Sequence, residues 1–180
     1  MFSERGYDGA TFQEVAERAD LTRPAINHYF ASKQALFNEV SDQSNALIIA
    51  AGIEQSRSEQ TLVGRLAKFI SVAMEAEADN PGTLAYMTTD VVETVRHTDL
   101  KRDNDAVSTT RDFLVSAIND AVASGELAPD ADSAALAEAL VMLICGIGFY
   151  VGFVGSYAAV ENILGTLQQL IAGSLWRAQV

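Results

Sequence analysis

Apolar residues recur along this chain with the period of a helix and almost nowhere with the period of a strand. Phe12, Val15, Ala16 and Ala19 fall at i, i+3, i+4 and i+7, the pattern of a short helix with one buried face. Thr11-Phe12-Gln13-Glu14 in front of them is a capping box, in which the Thr hydroxyl and the Glu carboxylate satisfy orphan amides at a helix start. Asp20-Leu21 breaks the pattern. Thr22 then caps a second short helix, with Pro24 in its first turn, where a missing N–H costs little. This helix runs to about Phe30, with Ile26 and Phe30 turned to the core. Ser32 caps a third, reaching about Gln55, with Leu36, Phe37, Val40, Leu47 and Ile48 on its inner side.

The rest of the chain continues in helices separated by breakers. Leu62, Leu66, Phe69, Ile70, Ala73 and Met74 form one stripe, closed by Asn80-Pro81-Gly82, and Leu84, Met87, Val91 and Val95 form the next. A polar stretch, His97 to Asp105, reads as a loop. Leu114, Ala117, Ile118, Ala121 and Val122 mark another helix, stopped at Ser124-Gly125. Asp132 or Ser133 caps a long apolar helix, and a last helix carries Ile163, Leu164, Leu167, Leu170, Ile171 and Leu175. No Asn-Gly or Asp-Gly hairpin separates alternating apolar runs. The fold class is therefore all-α, divided into a reader at 1–42 and a helical body at 43–180.

From Ala139 to Val160 no residue is charged, and Gly148 and Gly152 sit four apart, as in paired transmembrane helices. Four glycines and Ser156 interrupt the run, its flanks (Glu138, Glu161) are acidic, and no Lys or Arg is near to set an orientation. The expected setting is a soluble helix enclosed by its own subunit and a partner, with no membrane. Met1-Phe2-Ser3-Glu4 has none of the basic start and apolar stretch of a secretory signal. The single Cys145 forms no internal disulfide, so a cytoplasmic location is expected.

Charge limits the partners. The formal net charge is −12, and residues 1–45 alone stand near −3, so general coating of a polyanion is excluded and any DNA contact must be local. His28, His97 and Cys145 are too scattered for a metal site, and the glycines near 146–152 follow no strand, so no metal, cofactor or catalytic residue is expected. An enzyme is not the reading. The compact helix pair Thr11–Ala19 and Arg23–Phe30, joined by a three-residue turn, has the spacing of a helix-turn-helix. There the N-terminal residues of the second helix face the major groove. Thr22, Arg23, Ala25, Asn27 and His28 offer hydroxyl, guanidinium, methyl, amide and imidazole groups for phosphates and base edges.

The segment Phe2-Ser3-Glu4-Arg5-Gly6-Tyr7-Asp8-Gly9-Ala10-Thr11-Phe12, then Leu21-Thr22-Arg23-Pro24-Ala25-Ile26-Asn27-His28-Tyr29-Phe30 and Ser32-Lys33-Gln34-Ala35-Leu36, resembles the tetracycline-repressor (TetR) family of regulators. The resemblance covers about the first 40 residues. It implies that Thr11, Thr22, Arg23, Pro24, Ala25, Asn27, His28 and Tyr29 belong to the DNA-reading surface, and that Lys33 touches phosphate. It further implies a homodimer on palindromic double-stranded operator DNA, a small-molecule effector, and an interface made by the last two helices. Leu140, Gly148, Gly152, Leu164, Leu167 and Ile171 are the interface candidates. Phe69, Met74, Tyr86, Met87 and Phe113 are candidates for an apolar effector pocket. So are Phe149, Tyr150 and Phe153, with His97 or Tyr86 as polar handles.

Two departures from the family pattern matter. Asp20 stands where the turn usually has Gly, and Asp tolerates a left-handed backbone better than most residues. The family also carries about ten or more helical residues before the Phe2-Ser3-Glu4 segment, so the expectation is a truncated first helix. The functional expectation is a repressor released from its operator by a small, mainly apolar molecule. A helical small-molecule or protein-binding module without DNA reading is the alternative.

Overall fold

The computed structural model describes residues 1–103, 105–154 and Thr166. The expected last helix, with Leu164, Leu167 and Ile171, lies outside these residues. The described residues form helices and connecting turns, without strands.

The expected reader contains α1 (Phe2–Gly9), α2 (Phe12–Arg18) and α3 (Arg23–Tyr29). α1 is broken at Gly6, whose φ of +71° only glycine adopts cheaply. A Cβ there would lie 2.5 Å from Glu93 Oε1, so the break also lets the chain pass close to the body. Thr11 and Glu14 form the reciprocal capping box expected for α2. Asp20 takes a φ of +57°, the left-handed turn expected between α2 and α3. Ala19, expected on the buried face, is exposed: it is the C-cap of α2, where the chain is already turning away.

α4 (Lys33–Asn45) starts in the reader and runs without interruption through a π-helical turn, Ala46–Ala50, into α5 (Ala51–Ser56). The body continues with α6 (Leu62–Asp79), α7 (Thr83–Arg96), a 3-10 turn (Thr98–Leu100), α8 (Ala106–Ala123) and α9 (Ser133–Phe149), followed by a second π-helical turn, Tyr150–Val154. Gly52 permits the close crossing of α5 and α6, since a Cβ there would meet the Phe69 ring at 2.9 Å.

Among the described residues, three apolar clusters hold this frame. The first joins Phe2, Ala16, Ile26 and Phe37 of the reader to Tyr86 and Leu100 of the body. Its rings pack edge-on or tilted, with Phe2–Phe37 centroids at 5.1 Å and Phe37–Tyr86 at 5.6 Å. The second lies among Ile48, Ile49, Phe69, Met74 and Leu84. The third packs α8 on α9 through Leu114, Ile118, Ala137 and Val141. The reader thus has no closed core of its own.

Helix α9 with its π turn, Ser133–Val154, is long and apolar enough to cross a membrane. One side of it packs on α8 and α7. The other leaves Met142, Phe149 and Phe153 exposed among the described residues of the single chain.

Candidate DNA-reading surface and effector cavity

The candidate reading surface is the start of α3. Thr22 caps it, its Oγ1 accepting from the Ala25 amide at 3.3 Å. Arg23, Pro24, Asn27, His28 and Tyr29 are exposed around it, with Tyr29 71 % accessible, and Ala25 is half-buried. The Tyr29 and His28 rings stand edge to face at 5.6 Å. Ile26, buried beneath them, fixes the helix to the reader. Thr11 is exposed at the start of α2, with its hydroxyl donating to Glu14 at 2.8 Å.

Lys33, expected on phosphate, lies against α1 in this chain. Its ammonium donates to the Tyr7 carbonyl at 2.8 Å and lies 4.3 Å above the Tyr7 ring. A cation over an aromatic face with a carbonyl acceptor is already partnered. In this arrangement Lys33 fastens α4 to α1. Arg18 is likewise committed, holding Glu4 through both carboxylate oxygens and drawing that carboxyl down to about 2.

The second feature is a cavity of about 170 Å³ inside the body. Phe69, Ile70, Ala73 and Met74 of α6 form one wall, and Leu84, Met87, Thr88 and Val91 of α7 another. Ile48 and Ile49 enter from the π turn, a widening of the helix that recurs at functional sites. Thr110 of α8 and Ile144, Cys145 and Gly148 of α9 complete it.

Phe69, Met74 and Met87, proposed from the sequence, are therefore in the wall. Phe113 stands behind it, stacked on Phe69 at 5.4 Å. Phe149, Tyr150 and Phe153 lie outside it on the exposed side of α9 and its π turn, because the helix presents its aliphatic residues inward. Gly148 lines the cavity, and Gly152 packs on its own chain: a Cβ there would meet Ala85 Cα at 2.7 Å. Leu140 packs beside the α8–α9 cluster.

Tyr86 and His97, the expected polar handles, belong to another place altogether. α7 has two working faces, and these two residues lie on the face turned to the reader. Tyr86 Oη is 2.8 Å from both the Phe37 carbonyl and Ser41 Oγ, and burial pushes its phenol well above the ordinary range. Ser41 donates to Asp90 Oδ1 at 2.9 Å, and Arg102 Nη2 donates to Asp90 Oδ2 at 2.7 Å. One helical turn on, His97 Nε2 lies 3.3 Å from buried Glu93 and 3.4 Å from Asp8 of α1. Tyr86, Asp90, Glu93 and His97 are spaced by four, three and four residues, so they form a continuous stripe along α7. That spacing is present in the sequence, but the apolar stripe through Val91 and Val95 is the more conspicuous pattern there; Val95 is 80 % exposed.

Comparison with known proteins accords with this geometry. The profile of the bacterial regulatory proteins of the tetR family matches residues 1–40. No curated protein sequence matches the chain. The TetR family transcriptional regulator PfmR from Thermus thermophilus superposes with a TM-score of 0.72 over 98 % of this chain and 94 % of its own, at 18 % identity. A protein solved in work on the control of antibiotic production by bacterial hormones superposes with a TM-score of 0.68, at 25 % identity, over 94 % of this chain and 88 % of its own.

Proposed function

We propose that this chain, a TetR-family DNA-binding transcriptional regulator, acts as a repressor that leaves its operator when a small, mainly apolar molecule fills the body cavity. The observation that carries this reading is the double use of α7. Met87, Thr88 and Val91 line the cavity on one side, while Tyr86, Asp90 and Glu93 grip α1 and α4 of the reader on the other. α4 has the same double use, with Ser41 in the junction and Ile48 and Ile49, beyond its end, in the cavity wall. An occupant that moves α7 must move the reader or break the junction. In this reading the chain divides into a reader at 1–42 and a sensing body at 43–180.

Operator binding in this reading is by a homodimer, with two α3 helices in successive major grooves about 34 Å apart. The exposed Met142, Phe149 and Phe153 supply an apolar face for the second subunit. Thr22, Arg23, Asn27 and His28 read phosphates and base edges. A ligand with different affinities for two reader separations shifts the population between them.

The test is selection of duplexes from a random pool with the full chain, followed by titration. A two-fold symmetric site should be enriched, and Arg23→Ala should weaken binding to it by about 10- to 100-fold while lowering the salt dependence. A helical binding module without DNA reading is favoured by one observation, the reader's negative charge with Lys33 and Arg18 already partnered. It predicts no enrichment at all.

A further inference from the structure

The cavity wall specifies what kind of molecule fits. None of the described residues lining it is charged. Three polar side chains interrupt the hydrocarbon: Thr88, Thr110 and Cys145. Thr88 already donates to the Leu84 carbonyl at 3.0 Å, which leaves its oxygen free only to accept. Thr110 is 4 % exposed and belongs to the cavity wall, and its hydroxyl has no hydrogen-bond partner among the described residues. The buried side-chain atom without a partner among the described residues is Arg102 Nε, so the Thr110 hydroxyl keeps some accessible surface and can still meet a group that enters the space it borders.

Charge does not reach the space from outside the wall in usable form. Arg111 is close enough for its field to be felt at Cys145, yet its guanidinium is held by Glu138 at 2.5 Å. Cys145 is exposed, and partial desolvation raises its thiol, so it adds no ready anion to the wall. Asp90 and Arg102 neutralise each other on the opposite side of α7.

We infer that the cavity takes a small uncharged molecule, an aromatic or aliphatic skeleton with one hydroxyl or carbonyl group that pairs with Thr110, and that it rejects carboxylates and amines of the same shape. The inference rests on the effector reading above and names its chemical class. The volume sets the scale: an apolar cavity of about 150 Å³ holds a benzene ring, so about 170 Å³ suits a ring with one small substituent. An alcohol suits the two threonines together, since Thr110 can accept or donate a hydrogen bond and Thr88 can accept one.

The experiment uses four probes of nearly equal shape on the full chain: benzyl alcohol, toluene, benzoate and benzylamine, measured by calorimetry at pH 7. Benzyl alcohol should bind, and the two charged probes should bind at least about 100-fold more weakly, because this wall offers an ion no counter-charge and few hydrogen bonds in place of its water. Thr110→Val, nearly isosteric, should weaken benzyl alcohol by about 3- to 10-fold and leave toluene unchanged or tighter, and Thr110→Ser should restore the alcohol. Filling the space with Ala73→Phe should abolish binding of both neutral probes, which locates them.

Benzoate or benzylamine binding as well as the alcohol would overturn the inference while leaving the cavity as an effector site. Equal loss of alcohol and toluene on Thr110→Val would remove Thr110 from its role. Failure of all four probes to bind a folded chain would overturn both this inference and the effector reading.

Discussion

Removing Arg102 should weaken the joint between reader and body more than any other single change outside the apolar cores. The Asp90 carboxylate is buried, with 5 % of its side chain accessible, and Arg102 holds one oxygen at 2.7 Å. Arg102 itself is 14 % accessible, so water screens this pair little. Breaking a buried pair from one side costs about 3–5 kcal/mol, because the remaining charge is stranded. Here Asp90 keeps the Ser41 hydroxyl at 2.9 Å, and Arg102 Nε has no hydrogen-bond partner among the described residues. Both facts reduce the loss, and Arg102→Met should destabilise the protein by about 2–4 kcal/mol. Urea unfolding at one fixed protein concentration measures this. Asp90→Asn added to Arg102→Met removes the stranded charge, so the double variant should be more stable than the two single losses predict, by at least about 1 kcal/mol. Amide exchange in α1 and α4 should quicken in Arg102→Met before that in α8. An Arg102→Met protein within about 0.5 kcal/mol of the parent would refute the clamp, on the ordinary scale of surface substitutions.

Gly152→Ala should cost about 1–3 kcal/mol in thermal or urea denaturation, because the added methyl lands 2.7 Å from Ala85 Cα and backbone cannot yield as a side chain does; an unchanged melting temperature would show that the close approach is not maintained. Glu4 titrates near 2 in the folded protein and about 4.5 when unpaired, because Arg18 stabilises its anion. A depressed folded pKa contributes stability above pH 4.5 that disappears as the pH falls towards 2, so the gap between parent and Glu4→Gln should close over that window and stay constant from about pH 6 to 8. Cys145 is exposed but its thiol is raised by partial desolvation, so it should react with iodoacetamide at about pH 7.5 more slowly than a free thiol such as glutathione, and an equal or faster rate would contradict that environment.

Much of this architecture is legible in the sequence because its signals are local. Thr11 with Glu14, Thr22 before Pro24, and Ser32 before Leu36 each announce a helix start within four residues, and Asp20 in the turn takes the left-handed backbone expected of it. The cavity wall is legible only in part. Sequence reasoning favours aromatic and Met residues for a pocket, which locates Phe69, Met74 and Met87 but also selects Phe149 and Phe153, which turn outward. Which side of an all-apolar helix faces inward is decided by tertiary packing, and α9 carries no polar stripe to mark it. The junction escapes the sequence for a different reason. Its partners Ser41, Asp90 and Arg102 lie far apart in sequence, and each alone reads as a solvated surface residue; only the 86–90–93–97 spacing on α7 betrays a buried polar face. Lys33 shows the same limit, since nothing in the sequence marks the Tyr7 ring and carbonyl that lie against its ammonium.

The most direct test of the coupling through α7 is the affinity of the full chain for its selected duplex, measured at fixed salt with and without benzyl alcohol at saturating concentration. Linkage through one shared helix predicts a dissociation constant raised at least about fivefold by the alcohol, with the alcohol bound correspondingly less tightly by the DNA complex. A duplex affinity that does not change while the cavity is demonstrably filled would contradict the account.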